Sequence, residues 1–157
     1  MFYAMQLMLV CTLGLLLTSS KLPSHTGNDR PTLFYLDAHW ENHLPLKDEL
    51  QIIFEHAQQF LILIDDFCVP HDAGYGYDNY GDGKSLELAY LRPLSQYRFA
   101  VFFPTAPSVL ETGYRRGCVV LARGDPIIDQ LSTWSSLRRD DSLWTTPMTP
   151  RSAHIPD

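Results

Sequence analysis

From Thr32 onward the chain alternates continuous apolar runs with amphipathic and polar stretches. Thr32-Leu33-Phe34-Tyr35-Leu36 is a short apolar run that stops at Asp37, which predicts a buried strand. Pro45 suits the first turn of a helix. Leu46, Leu50, Ile53, Phe54 and Ala57 then fall on one helical face, with Lys47, Asp48 and Glu55 off that stripe. Phe60-Leu61-Ile62-Leu63-Ile64 is a second continuous run and ends in Asp65-Asp66. Continuous rather than alternating apolarity means that both faces are covered, as in a central parallel strand. A loop from Cys68 to Lys84 is crowded with Gly, Tyr and Asp. Ser85 is placed to cap a short helix over Leu86–Leu91, which Pro93 would end. Tyr97–Phe103 and Gly117–Ala122 read as two further strands, joined by a loop too short for a crossover helix and therefore antiparallel. Asp125–Asp157 reads as a short helix around Ile127–Leu131 followed by a loose, proline-bearing tail.

The element pattern predicts an α/β protein: a partial Rossmann-like three-layer fold with a mostly parallel sheet, a right-handed crossover and a C-terminal antiparallel hairpin. The expected organisation is a hydrophobic segment at 1–20, a linker at 21–31, the α/β domain at 32–124 and a polar tail at 125–157. Met1–Ser20 carries no charged residue, and the first is Lys21. It reads as a signal peptide lacking its basic start, as a short membrane anchor, as a buried core segment, or as sequence upstream of the true start. A cytoplasmic protein follows if it is remnant core, and a membrane-anchored or secreted one otherwise. The first strand would leave an apolar sheet edge, which favours homodimerisation.

With 157 residues the chain suffices for one domain with a real core. Its 45% hydrophobic and 12% aromatic content excludes wholesale disorder. Three distant cysteines exclude a disulfide-stapled miniprotein. A net charge of −6 with scattered arginines argues against nucleic-acid binding.

The candidate chemistry sits at the strand ends, where open α/β sheets place their sites. Neighbouring strands lie about 5 Å apart, so Asp37, Asp65 and Asp66 would converge. Three uncompensated carboxylates would repel, and a hard divalent cation such as Mg²⁺, Ca²⁺ or Mn²⁺ would relieve them. Helix capping or simple exposure is the alternative. His39 follows Asp37 by two residues and points to the same side of an extended chain. It serves as a general base, a nitrogen ligand or a surface residue packed on Trp40. Gly74 and Gly76 suggest a phosphate loop, but the interleaved carboxylates disfavour an anion. A substrate loop is preferred, with Tyr75, Tyr77 and Asp78 as its contacts, against an irregular surface loop. Cys68 reads as a packed thiol, its pKa raised by nearby acids.

Leu36-Asp37-x-His39, an amphipathic helix and then Ile64-Asp65-Asp66 resemble the second half of a class I S-adenosylmethionine-dependent methyltransferase. The stretch is similar to the metal-dependent sugar O-methyltransferases of macrolide biosynthesis and the cephalosporin-hydroxylase-like group. The resemblance covers residues 31–123. It implies that Asp37 matches the acid after strand four, and Asp65 and Asp66 the pair after strand five, together holding Mg²⁺. His39 would take the proton of a small-molecule acceptor. The last two strands would match strands six and seven, of which the last runs antiparallel. Nothing before Thr32 matches the glycine-rich turn and acid that hold the methyl donor, so the chain reads as the half lacking the cofactor site. Two other readings stand. One is a non-enzymatic anchored or secreted α/β domain. The other is an arginase-like metallohydrolase suggested by Asp37-Ala38-His39, although Trp40 and Glu41 depart from that family's pattern.

Overall fold

The computed structural model describes residues 31–37 and 44–145. Strand β1 (Thr32–Leu36) leads to helix α1 (Leu46–His56) and strand β2 (Phe60–Asp65). A long loop, helix α2 (Leu88–Leu91) and a 3₁₀ turn (Arg92–Tyr97) precede strand β3 (Ala100–Pro104). A second 3₁₀ turn (Ser108–Leu110), strand β4 (Cys118–Arg123), helix α3 (Asp125–Ser132), strand β5 (Leu137–Asp140) and helix α4 (Ser142–Thr145) follow.

The five strands form one sheet in the order β1-β2-β4-β3-β5. Only β1 and β2 pair in parallel; β2–β4, β4–β3 and β3–β5 are antiparallel. The sheet is therefore mixed and mostly antiparallel, not mostly parallel as the sequence predicts. The reason lies in β4, which returns between β2 and β3 and so supplies antiparallel neighbours to both. Continuous apolarity reports that two faces are buried and carries no information about direction. Strands β1, β2 and β3 nevertheless point the same way, with β4 against them.

Alternation along each strand divides the core in two. Phe60, Ile62, Ile64, Val101, Phe103, Val119 and Leu121 face the layer that contains α1. There Leu46, Leu50, Ile53 and Phe54 form the buried stripe that the spacing of the helix predicts. Leu61, Leu63, Phe102, Val120 and Ala122 face the opposite side and meet Ile127 and Leu131 of α3. Helices thus cover both faces, with much the larger cluster on the α1 side.

The expected loose tail is structured as far as Thr145, because β5 extends the sheet beyond residue 124. This strand has only four residues, and Arg138 and Arg139 at its centre are exposed. Charge on a short edge strand discourages further pairing and also hides the strand from a search for apolar runs. Ser85 does not cap a helix; it bridges to Asn79, and the short helix begins after Glu87. Among the described residues no helix is long and apolar enough to cross a membrane. The Met1–Ser20 segment and His39 lie outside the described residues.

Arg123, the last residue of β4, secures the end of α1. Its guanidinium donates to the carbonyls of Phe54 at 2.8 Å and Ala57 at 3.3 Å, to Arg98 at 3.2 Å, and to Tyr97. It also lies over the rings of Phe60 and Phe54, 4.8 and 5.3 Å from their centroids. The last carbonyls of a helix lack partners within the helix and carry its negative pole, so a planar five-donor cation suits them. Partial burial lowers the Arg123 pKa, since the charged form loses water. Arg123→Met keeps the stem but strips donors from several carbonyls. We expect a loss of about 2 kcal/mol in urea unfolding, within the range for buried groups left unsatisfied. Arg123→Lys should recover only part of it.

Candidate functional site at the strand ends

The carboxyl ends of β1, β2 and β3 and the start of β4 lie at one edge of the sheet. Two loops cover this edge, 66–87 after β2 and 105–117 after β3. Register places Leu36 beside Ile64, so Asp37 and Asp65 follow at adjacent strand ends. Tyr35 joins the two strands on their exposed side, its hydroxyl donating to Asp65 Oδ2 at 3.0 Å. Its pKa is raised by burial and then by the negative charges of Asp65 and Asp37, so the phenol stays protonated. The Asp65 carboxylate also accepts the Asp66 amide, at 2.9 Å through Oδ1.

Asp66 turns the chain away from the strand in a left-handed conformation, φ 54°. Aspartate tolerates this region better than most residues with a side chain. The two adjacent acids consequently diverge. Asp65 faces Tyr35 of β1, whereas Asp66 Oδ1 accepts Arg116 Nε at 2.5 Å. The second arm of the Arg116 guanidinium donates to Asp78 Oδ1, and the Tyr80 hydroxyl donates to Asp78 Oδ2 at 2.5 Å. The bonds that Arg116 donates, the one to Asp66 above all and then the one to Asp78, hold its pKa above the ordinary arginine value. Arg116 carries no signal in the sequence beyond being basic, because its partners lie 38 and 50 residues away.

The 66–87 loop is tied down along its length. The Asp78 amide donates to the Asp66 carbonyl at 2.9 Å, Leu86 to Asp78 at 2.9 Å and Cys68 to Leu86 at 2.7 Å. Gly76 exchanges bonds with the start of β4, donating to Arg115 O at 2.5 Å and accepting from Gly117 N at 2.8 Å. Gly117 is required at this crossing. A Cβ there would stand 2.2 Å from the Phe67 carbonyl oxygen and 2.9 Å from the Val69 side chain. The tip of the loop is a tight turn whose residues Gly81, Asp82 and Gly83 all have positive φ.

The predicted loop contacts separate. Tyr75 is 5% exposed and belongs to the core; its hydroxyl donates to the Ala106 carbonyl at 2.9 Å. Burial and the neighbouring Glu111 push its pKa up to about 12. Tyr77 is exposed, and Asp78 is held by Arg116. Asp72 anchors the facing loop through the Ser108 amide at 2.7 Å and hydroxyl at 2.8 Å. These bonds lower its pKa. The turn so fixed presents Val109 and Leu110 to solvent, with Tyr114 farther along the same loop. Cys68 is half-buried, its pKa raised by burial and then by Glu87. Cys118, opposite Asp65, is pushed up to about 12 by burial and then by Asp65, so neither thiol is an activated nucleophile.

The groups implied by the resemblance meet two obstacles in this arrangement. Arg116 already compensates Asp66. Among the described residues no group of three or more His, Cys, Asp or Glu is placed to hold a metal ion. Asp66 is thus engaged by Arg116 rather than left uncompensated as the sequence predicts. Nor does the glycine-containing loop offer a nucleotide cradle, since the amides of Gly74, Gly76 and Gly81 are spent on Asp72, Arg115 and Asn79. What the edge does offer is two carboxylates that follow adjacent strands, a protonated phenol bonded to one of them, and Tyr77 exposed on the covering loop. Comparison with protein-family models, with curated proteins and with solved structures finds no match to the chain.

Proposed function

We propose that the chain is the acceptor-side half of a class I S-adenosylmethionine-dependent O-methyltransferase fold. The observation that supports this reading best is the run of directions through the sheet. Strands β1, β2 and β3 point one way and β4 runs against them, with an acid following β1 and an acid pair closing β2. That is the pattern expected of strands four to seven in the resemblance. On this reading Asp37 and Asp65 accept hydrogen bonds from hydroxyl groups of a sugar-like acceptor, and Tyr77 lies against its ring. His39, two residues beyond Asp37, takes the proton as the methyl group is transferred. In the resemblance the methyl donor is held by the family's first strands, which residues 32–123 do not match.

The test is a nuclear magnetic resonance titration of the chain with a methyl glycoside and, separately, with S-adenosylmethionine. The glycoside is expected to move the amide signals of Asp37, Asp65, Asp66 and Tyr77. In Asp65→Asn its affinity should fall about tenfold, as for the loss of one charge-assisted hydrogen bond. A folded chain whose signals at these residues do not move, or move equally in Asp65→Asn, would overturn the proposal in favour of a non-enzymatic domain. Binding of S-adenosylmethionine would overturn the placement of the donor site outside this half.

A further inference from the structure

We infer that Arg116 is the resident cation of the acidic sheet edge and the latch that positions the 66–87 loop across it. Three features of the geometry lead there. First, the two arms of one guanidinium are divided between Asp66, at the end of β2, and Asp78, in the middle of the loop. Arginine is suited to this role, because its donors form a rigid fork and its charge is permanent. Second, the backbone repeats the same connection. The Asp78 amide bonds to the Asp66 carbonyl, and Gly76 pairs with residues 115 and 117 on either side of Arg116. The ion pair and the backbone ladder therefore form and break together. Third, the Arg116 side chain is 31% exposed and those of Asp66 and Asp78 about 20%, so water reaches the latch without dissolving it.

Arg116 thus performs at Asp66 the charge compensation that a divalent cation would otherwise perform, and it does so with a group that belongs to the chain. It acts through Asp66 and Asp78. The loop that it holds carries Tyr77, so the latch fixes where Tyr77 stands relative to the end of β2. The latch stands on the geometry alone; its use in acceptor binding rests on the proposed function.

The test compares wild type with Arg116→Met, Arg116→Lys, Asp66→Asn and Asp78→Asn by amide hydrogen exchange, with and without millimolar Mg²⁺. In Arg116→Met the amides of Cys68, Asp78 and Leu86 should exchange about tenfold faster or more, while those of Ile62 and Leu121 in the sheet stay protected. Arg116→Lys should restore part of the protection, a rescue that a purely steric role would not show. Added Mg²⁺ should slow loop exchange in Arg116→Met and leave wild type unchanged. Unaltered loop exchange in Arg116→Met would overturn the inference. So would a wild-type loop as sensitive to Mg²⁺ as the variant, which would make the metal the true cation. If Arg116→Met fails to fold, Asp66→Asn and Asp78→Asn each remove one arm, and wild-type loop exchange in both would overturn it equally. A normal latch with no response to the glycoside counts against the proposed function only, and the opposite result against the latch only.

Discussion

Phe103→Ala is expected to destabilise the chain by about 3–5 kcal/mol, the range for deleting a buried aromatic ring from a core. Phe103 is completely buried, pairs with the Phe67 ring at 6.3 Å, and stands on the larger core face between the sheet and its covering helices. Total stabilities of about 5–15 kcal/mol are usual for single domains, so this change removes a large share. A urea titration should show the midpoint falling by roughly 2 M, given slopes of about 1–3 kcal/mol per molar for small proteins. The control is Tyr114→Ala, at a residue that is 84% exposed, which should shift stability by no more than about 0.5 kcal/mol. Equal effects at the two positions would mean that the packing described for the α1 face is wrong.

Gly117→Val should be nearly as damaging, for a different reason. The added Cβ falls on the Phe67 carbonyl, which is backbone and cannot swing aside as a side chain would. The neighbouring hydrogen bond from the Phe67 amide to the Gly117 carbonyl, 3.0 Å long, would also be forced open. Overpacking of this kind typically costs about 1–3 kcal/mol, and the lost backbone hydrogen bond adds about 1 kcal/mol more. The two variants differ in where the damage lands. Phe103→Ala loosens the whole core. Gly117→Val displaces the start of β4 and with it Arg116, so the amides of Asp78 and Leu86 should lose protection before those of the central strands. Hydrogen exchange distinguishes the two patterns. A uniform loss in Gly117→Val would contradict the local crossing.

The strands and the first helix were legible because their burial leaves a periodic trace. Leu46, Leu50, Ile53 and Phe54 repeat with the helical turn, and Phe60 to Ile64 form an unbroken apolar run with an abrupt acidic end. The order of strands was not legible. Both faces of β2 are buried whether its neighbour runs with it or against it, so the sequence of β2 is indifferent to the return of β4 beside it. Strand β5 escaped for the opposite reason, being made of Arg138 and Arg139 between Leu137 and Asp140. At the site, the position of Asp65 and Asp66 after a central strand was readable, because strand ends are defined by where apolarity stops. Their divergence was not, since it depends on a positive φ at Asp66 and on Arg116 arriving from far along the chain. Tyr75 shows the same limit. In a loop rich in glycine and acids a tyrosine reads as surface, yet this one completes the core and spends its hydroxyl on a backbone carbonyl.

The turn at Gly81–Gly83 has a practical use. A Cβ added at Gly81 or Gly83 meets nothing within 4 Å, and all three residues are exposed. The segment bulges outward between Asn79 and Ser85, which already bridge and so close its base. Exposed loop tips of this kind tolerate grafted sequence, because inserted residues displace no packed neighbour. A short epitope or a cysteine-bearing peptide spliced between Gly81 and Gly83 would place a fluorescent reporter at the tip of the loop that Arg116 holds at Asp78. Release of the loop from Arg116 would then be readable as a change in the mobility of the dye, without any alteration to Asp66, Asp78 or Arg116 themselves.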